Sequence, residues 1–227
     1  MKIRIKFSKL GTVRFIGHLD LMRFFQKALR RAGVDMMYSG GYSPHPIMAF
    51  AAPLGVGIES IAEYMDIETQ DHETPTHIQE SLRRHSVPGI EILSVRELPA
   101  DAQNAMASVA AARYMVTVSS VPSNDLQHKI DDLLSSATIV VSKKSKHGTR
   151  ALDIRSGIYE LFVTGQEVHM LLNASSEGNI KPSLVMDVLV GQEAVRTLRE
   201  ELYTTNPAGK LVPMEEIQRI GTERNDE

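Results

Sequence analysis

The chain has 227 residues, with 25 Lys and Arg against 28 Asp and Glu, a formal net charge of −3. That length gives one large domain or two smaller ones, each able to bury a core, and 42% apolar with 23% charged residues is the composition of an ordinary soluble globular protein. The absence of Cys excludes disulfides, thiolate zinc sites, a cysteine nucleophile and any iron–sulfur cluster held by thiolates of this chain.

The first residues alternate charged and apolar side chains and lack the continuous apolar stretch of a signal peptide, and no window is apolar enough to span a bilayer. A cytoplasmic protein with no membrane association is the expectation. Ile3, Ile5 and Phe7 fall on one face and Arg4 and Lys6 on the other, which predicts a half-buried strand. Gly17-His18-Leu19-Asp20 opens a helix that Gly33 ends, with Leu21, Phe25, Ala28, Leu29 and Ala32 as its apolar stripe. The Gly-, Ser- and Pro-rich stretch from Tyr38 to Pro46 predicts a loop. Strands are predicted at 47–52 and 64–69, a helix from Pro75 to about His85, and a strand over 90–96. This β-α-β-β-α-β order is that of a ferredoxin-like domain.

An Ala-rich linker or short helix over 99–112 precedes a second set of patterns. It contains a strand from Tyr114, a helix over 122–136, strands near 138–142, 150–154, 158–164 and 167–173, and a helix from Pro182 to Leu189. The predicted fold class is therefore α+β, with two ferredoxin-like domains in tandem. Residues 1–98 form the first, 99–112 the linker, and 113–227 a C-terminal α+β domain ending in a frayed tail.

The net charge conceals a separation of signs. Nine basic residues and one acid, Asp20, occupy residues 2–31, giving +8, whereas residues 32–82 hold eight acids and neither Lys nor Arg. A local anion-binding face is thus compatible with an acidic total. Arg14, Arg23, Arg30 and Arg31 are candidate anion contacts, and the helix face carrying the last three also bears Lys27. A solvated helix face accounts for the same charges. A second basic run provides Lys143, Lys146, Arg150 and Arg155 at a predicted strand–turn–strand junction, where a solubilising hairpin tip is the alternative.

Two further stretches carry candidate chemistry. In Tyr42-Ser43-Pro44-His45-Pro46, prolines bracket His45, so a general base, a ligand contact with Ser43, a metal ligand or a simple turn all remain open. His18 and Asp20 stand at a helix start, where backbone N–H groups favour anions and where capping explains them equally well. His18, Asp20 and His45 are the catalytic candidates, with no resident metal expected. Gly55-Val56-Gly57 lacks the third Gly of a dinucleotide loop, and no phosphate-loop, nucleophile-elbow or zinc-protease motif is present.

Together, Arg14-Phe15-Ile16-Gly17-His18-Leu19-Asp20, Arg30-Arg31-Ala32-Gly33, Tyr42-Ser43-Pro44-His45-Pro46 and Pro53-Leu54-Gly55-Val56-Gly57 resemble the radical-SAM-linked bacterial domain of unknown function. Lys143-Lys144, Asp153-Ile154-Arg155 and Ile180-Lys181-Pro182 resemble its second half, so the likeness extends over about 1–205. The resemblance implies a radical S-adenosylmethionine protein as partner. Without Cys, this chain leaves the iron–sulfur cluster and S-adenosylmethionine to that partner and is expected to hold no cofactor itself. Two expectations follow. The first is an accessory or substrate-recognition protein that binds RNA or a ribosomal component through its basic faces. The second is a stand-alone enzyme acting on a phosphate-bearing substrate through a His/Asp site.

Overall fold

The alternation at the N-terminus forms β1 (Lys2–Lys9), and the computed structural model describes residues 1–70, 72–119, 121–145, 148–191 and 194–216. Ile3, Ile5 and Phe7 face a core under α1 (His18–Arg31), whose predicted stripe of Leu21, Phe25, Ala28, Leu29 and Ala32 is buried. Phe7 meets Phe25 edge to face with ring centroids 4.6 Å apart, and Phe50 closes the same cluster from β2 (Met48–Phe50). Such pairs add about 1 kcal/mol beyond the area they bury. Gly33, at φ 74°, stops α1 as expected, with the Val34 N–H returning to the Leu29 carbonyl.

β3 (Glu59–Glu68), α2 (Pro75–Arg84) and β4 (Ile92–Leu98) follow. Thr74 caps α2 by accepting the His77 N–H at 3.2 Å, and Pro75 occupies the first turn, where its missing N–H costs nothing. β1 lies antiparallel between β3 and β4, with Ile5 opposite Met65 and Val95. The chain divides into two compact units: Met1–Val109 with the described residues from Glu201 on, and Ala110–Glu200. In the first unit the strand order is β4-β1-β3, and β2 pairs with β3. α3 (Ala105–Ser108) occupies part of the predicted linker, and β11 (Leu211–Pro213) pairs with the end of β10 (Ala194–Thr205).

The second unit runs β5 (Ala111–Val118), α4 (Ser123–Ser135), the hairpin β6 (Val140–Ser145) and β7 (Gly148–Asp153), β8 (Ile158–Thr164), β9 (Glu167–Asn173), α5 (Pro182–Leu189) and the start of β10. Its strand order is β10-β5-β9-β8, with β6 and β7 forming a separate two-stranded sheet. Val116, Leu126, Ile130, Val168, Met170 and Val185 are among its buried side chains. The architecture is mixed α+β. No helix among the described residues is long and apolar enough to cross a membrane.

Two findings depart from expectation. The predicted boundaries place everything from 113 on in one C-terminal domain, whereas the described residues from Glu201 belong with the first unit. Glu201 and Glu215 bind Lys6 of β1 at 2.9 and 3.1 Å, and Leu202 and Met214 of the same segment are buried. Nor is β1 half-buried. Its supposed solvent face carries Arg4, which is 5% exposed and bound to Asp66 at 2.8 Å, and the ion-paired Lys6.

Gly89 has φ 92°, and a Cβ added there would collide with the Leu10 carbonyl oxygen and Val13 Cγ2. Gly89→Ala therefore combines backbone strain with a clash against main chain, and is expected to lower stability by about 2 kcal/mol. Urea unfolding monitored by circular dichroism measures it; an unchanged midpoint would show that Leu10 moves freely.

Candidate functional site

α1 begins without a side-chain cap at Gly17, so Asp20 in its first turn and Arg30 and Arg31 in its last are the charges that complement the helix dipole. The His18 ring lies edge-on against Phe50 at 5.2 Å between centroids. Asp20 binds Arg23 one turn along at 3.2 Å, both side chains about two-thirds exposed. The helical period puts Arg23, Lys27, Arg30 and Arg31 on the outer side, and all four are exposed. Lys27, Arg30 and Arg31 meet no carboxylate among the described residues.

The loop from Tyr38 to Pro46 is closed like a hairpin. Tyr38 and Pro46 form a β-bridge, and the Ser39 N–H donates to the His45 carbonyl at 2.9 Å. Ser39 Oγ stands 2.9 Å from His45 Nδ1 and also accepts the His45 N–H at 3.2 Å. Gly41 supplies the left-handed residue, φ 100°, that this closure needs. Ser43 is exposed, with its carbonyl 3.5 Å from His45 Nδ1. Among the described residues no hydrogen bond, ion pair or ring contact joins His45 to His18 or Asp20.

The loop instead meets α1 at the helix C-terminus. There a groove of about 420 Å³ is lined by Gln26, Arg30, Asp35, Tyr38, Pro46 and His72, among others. His72 Nε2 is 3.7 Å from Asp35. The Arg30-Arg31-Ala32-Gly33 and Tyr38–Pro46 stretches singled out in the sequence thus share a polar surface built on Arg30.

Beneath the start of α1 lies an arrangement that sequence reasoning missed. Lys9 is 1% exposed, and its ammonium donates to the carbonyls of Arg14 and Ile16 at 3.3 and 2.9 Å. Glu59, also buried, accepts the Gly11 N–H at 2.7 Å and lies 3.5 Å from Arg14. The Arg14 guanidinium covers one face of the Phe15 ring at 4.8 Å. Period two puts Lys9 on the same face as Ile3, Ile5 and Phe7, and that parity is the signal of its burial in the sequence. Glu63 is buried within β3.

On the opposite face of β1, Lys6 joins Glu201 and Glu215, Tyr64 donates its hydroxyl proton to Glu201 at 2.7 Å, and Arg96 binds Glu215 at 3.2 Å. Burial opposes the Lys6 charge, but Glu201 and Glu215 outweigh it and hold its pKa above the ordinary lysine value. Burial likewise opposes ionisation of Glu215, yet hydrogen bonds from Ser94 and Lys6 leave its pKa below the ordinary carboxylate value. Burial and the facing Glu201 raise the Tyr64 phenol far above its usual range.

In the second unit, Arg155 donates to the Leu134 carbonyl at 3.0 Å, closing the end of α4. Asp153 accepts the backbone N–H groups of Arg155 and Ile139, which lower its pKa. Arg150 is exposed and borders a groove of about 430 Å³ with Asp153, Asn173 and Glu177. Lys143 lies in β6 in register with Arg150, while Lys146 is outside the described residues. Among the described residues no group of three or more His, Asp or Glu is placed to hold a metal ion.

The family described as "Uncharacterized protein conserved in bacteria (DUF2344)" matches residues 2–182. The chain belongs to that family. The description assigns no reaction to its members. Comparison with curated proteins gives no match. Among solved structures, the fold is similar to a chain of "Crystal Structure of a Cbf5-Nop10-Gar1 Complex", with a TM-score of 0.50, 9% identity, and coverage of 88% of this chain and 48% of that one. The family member described here therefore spans about half the length of that solved chain, and at this identity the likeness is one of fold.

Proposed function

We propose that the chain is an accessory recognition protein that binds RNA or a ribosomal component on behalf of a separate radical S-adenosylmethionine enzyme, and that each unit is a ferredoxin-like module. The fold reading is supported by the order β-α-β-β-α-β in both units, with β6 and β7 inserted in the second, and by equivalent strand orders, β4-β1-β3 and β10-β5-β9.

One observation carries the binding reading: Lys27, Arg30 and Arg31 stand exposed on one side of α1 with no carboxylate partner among the described residues. The separated charge blocks do not cancel in space. Glu59, Glu63 and Glu73 are buried and Asp66 is consumed by Arg4, so half of the acidic block is withdrawn from the surface. On the basic side, Arg4, Lys6 and Arg14 are ion-paired, Lys9 is buried and Lys2 donates to the Ala100 carbonyl, which leaves the α1 cations exposed. A polyanion supplies the complementary charge. The radical-enzyme partner rests on the motif resemblance, and the lack of Cys assigns the cluster to that partner. The stand-alone enzyme draws less support, because Asp20 is tied to Arg23 and His45 to Ser39.

Titration of a labelled single-stranded RNA against the full chain at increasing salt tests the binding. Affinity is expected to fall linearly on a log–log plot, with a slope near −2 if the three free cations each contact one phosphate, about 0.7 per contact. A salt-independent or absent signal would remove the RNA part of the reading. Co-purification with a radical S-adenosylmethionine enzyme tests the other part.

A further inference from the structure

The end of the first unit that carries the Arg14–Asp20 stretch has an unusual surface. Phe15 is 60% exposed, and Leu19 and Val56 are exposed to a similar degree. An exposed aromatic ring is unremarkable when its backbone is mobile, but that of Phe15 is tied down on every side. The buried Lys9 ammonium binds the carbonyls of residues 14 and 16, which flank it. The Gly57 N–H donates to the Arg14 carbonyl at 2.9 Å, pinning the turn that bears Val56 to the same segment, and the Ile16 N–H returns to Val13. Burying a lysine ammonium is costly, and here two of its hydrogen bonds fix the residues on either side of an outward-pointing ring.

The Arg14 guanidinium lies 4.8 Å from the centroid of that ring, and α1, with its unpaired cations, starts three residues further on. A rigid ring, an adjacent guanidinium and a run of cations are the elements with which proteins hold unpaired bases and the phosphates that link them. We infer that Phe15 is a stacking platform for a base of single-stranded RNA whose backbone runs along the basic side of α1. Arg14 backs one face of the ring, and Lys9 acts as a positioning residue that keeps the platform in place. This deepens the RNA-binding reading above and rests on it. A protein partner would also cover apolar surface, but polyanion charge complementarity along the adjoining helix selects nucleic acid.

The test uses the full chain, a labelled oligouridylate, and a strand of equal length whose riboses lack bases. Phe15→Ala is expected to weaken oligouridylate binding roughly tenfold while leaving the abasic strand unaffected, since stacking of one base is worth that order. Phe15→Tyr is expected to restore binding, because stacking needs the ring and not its edge. Phe15 is mostly exposed, so an unchanged thermal midpoint in Phe15→Ala separates lost stacking from lost folding. Equal weakening on both strands, or undiminished oligouridylate affinity in Phe15→Ala, overturns the inference and assigns the patch to a protein surface, while salt-dependent binding of the wild type still upholds the parent reading. Absence of wild-type binding to either strand removes both.

Discussion

Replacing Lys6 by Met is expected to lower stability by about 3 kcal/mol, because the change removes the cation shared by two partly buried carboxylates. The Lys6, Glu201 and Glu215 side chains are 14%, 16% and 27% exposed, so neither acid regains full hydration when its partner goes. Arg96 still faces Glu215, and Tyr64 still donates to Glu201, which keeps the loss below that of a fully orphaned charge. For a chain of this size the melting temperature should fall by about 9 °C. The double variant with Glu201→Gln should recover part of it, since a neutral amide leaves less uncompensated charge.

The same network fixes a pH window. The folded pKa of Lys6 is raised above 10.5, so its contribution is complete below that value and disappears as pH rises through the folded pKa. Tyr64 acts in the same direction: its phenol stays protonated in the fold while the unfolded chain ionises near 10.0, so stability declines above that pH. Glu215 is depressed, so its contribution is present above 4.5 and is lost as pH falls through its lower folded value. Stability measured by urea unfolding should therefore be flat between about pH 5 and 10 as far as these groups are concerned, and Lys6→Met should reduce the alkaline limb to the part that Tyr64 contributes. Retention of the whole limb in the variant would assign it to other groups.

What could be read directly from the sequence was local. The stripe of Leu21, Phe25, Ala28 and Leu29 forecasts α1, and the Gly33 stop is where it was expected, because helix period and capping depend on neighbours a few residues away. β3 starts earlier than its pattern suggested, since Glu59 and Glu63 interrupt the apolar alternation, and both are nonetheless buried. The return of Glu201 and Glu215 to Lys6 spans about two hundred residues and leaves no trace in periodicity. β10 was equally hidden: its Arg-Glu-Glu centre reads as polar surface until Arg199 is found buried, 3.3 Å from the Tyr114 hydroxyl. For the candidate site, the sequence identified the basic side of α1 and the stretch containing His45. It left open whether that stretch meets His18; the fold brings it to Arg30, because the closure of the loop is set by Tyr38 and Pro46.

The variant Lys27→Gln, Arg30→Gln, Arg31→Gln is expected to lose roughly 100-fold in affinity for single-stranded RNA at about 0.1 M salt. Each phosphate contact contributes about 0.7 to the slope of log affinity against log salt, so removing three lowers the slope by about 2. Extrapolated to about 1 M, where counterion release no longer drives binding, the variant and the wild type should converge; a decade of salt below that, they differ by two decades of affinity. The convergence distinguishes lost phosphate contacts from a damaged fold, which would lower affinity at every salt concentration. Stability should change little, since all three side chains are exposed and without carboxylate partners among the described residues, although Arg30 and Arg31 complement the α1 dipole and cost a few tenths of a kcal/mol each when neutralised. Asp20→Asn provides the opposite arm: it releases Arg23 from its ion pair at 3.2 Å and should strengthen binding and steepen the slope. If Asp20→Asn leaves the slope unchanged while the triple variant lowers it, the bound strand lies along the C-terminal half of α1, toward the groove that Arg30 shares with Tyr38.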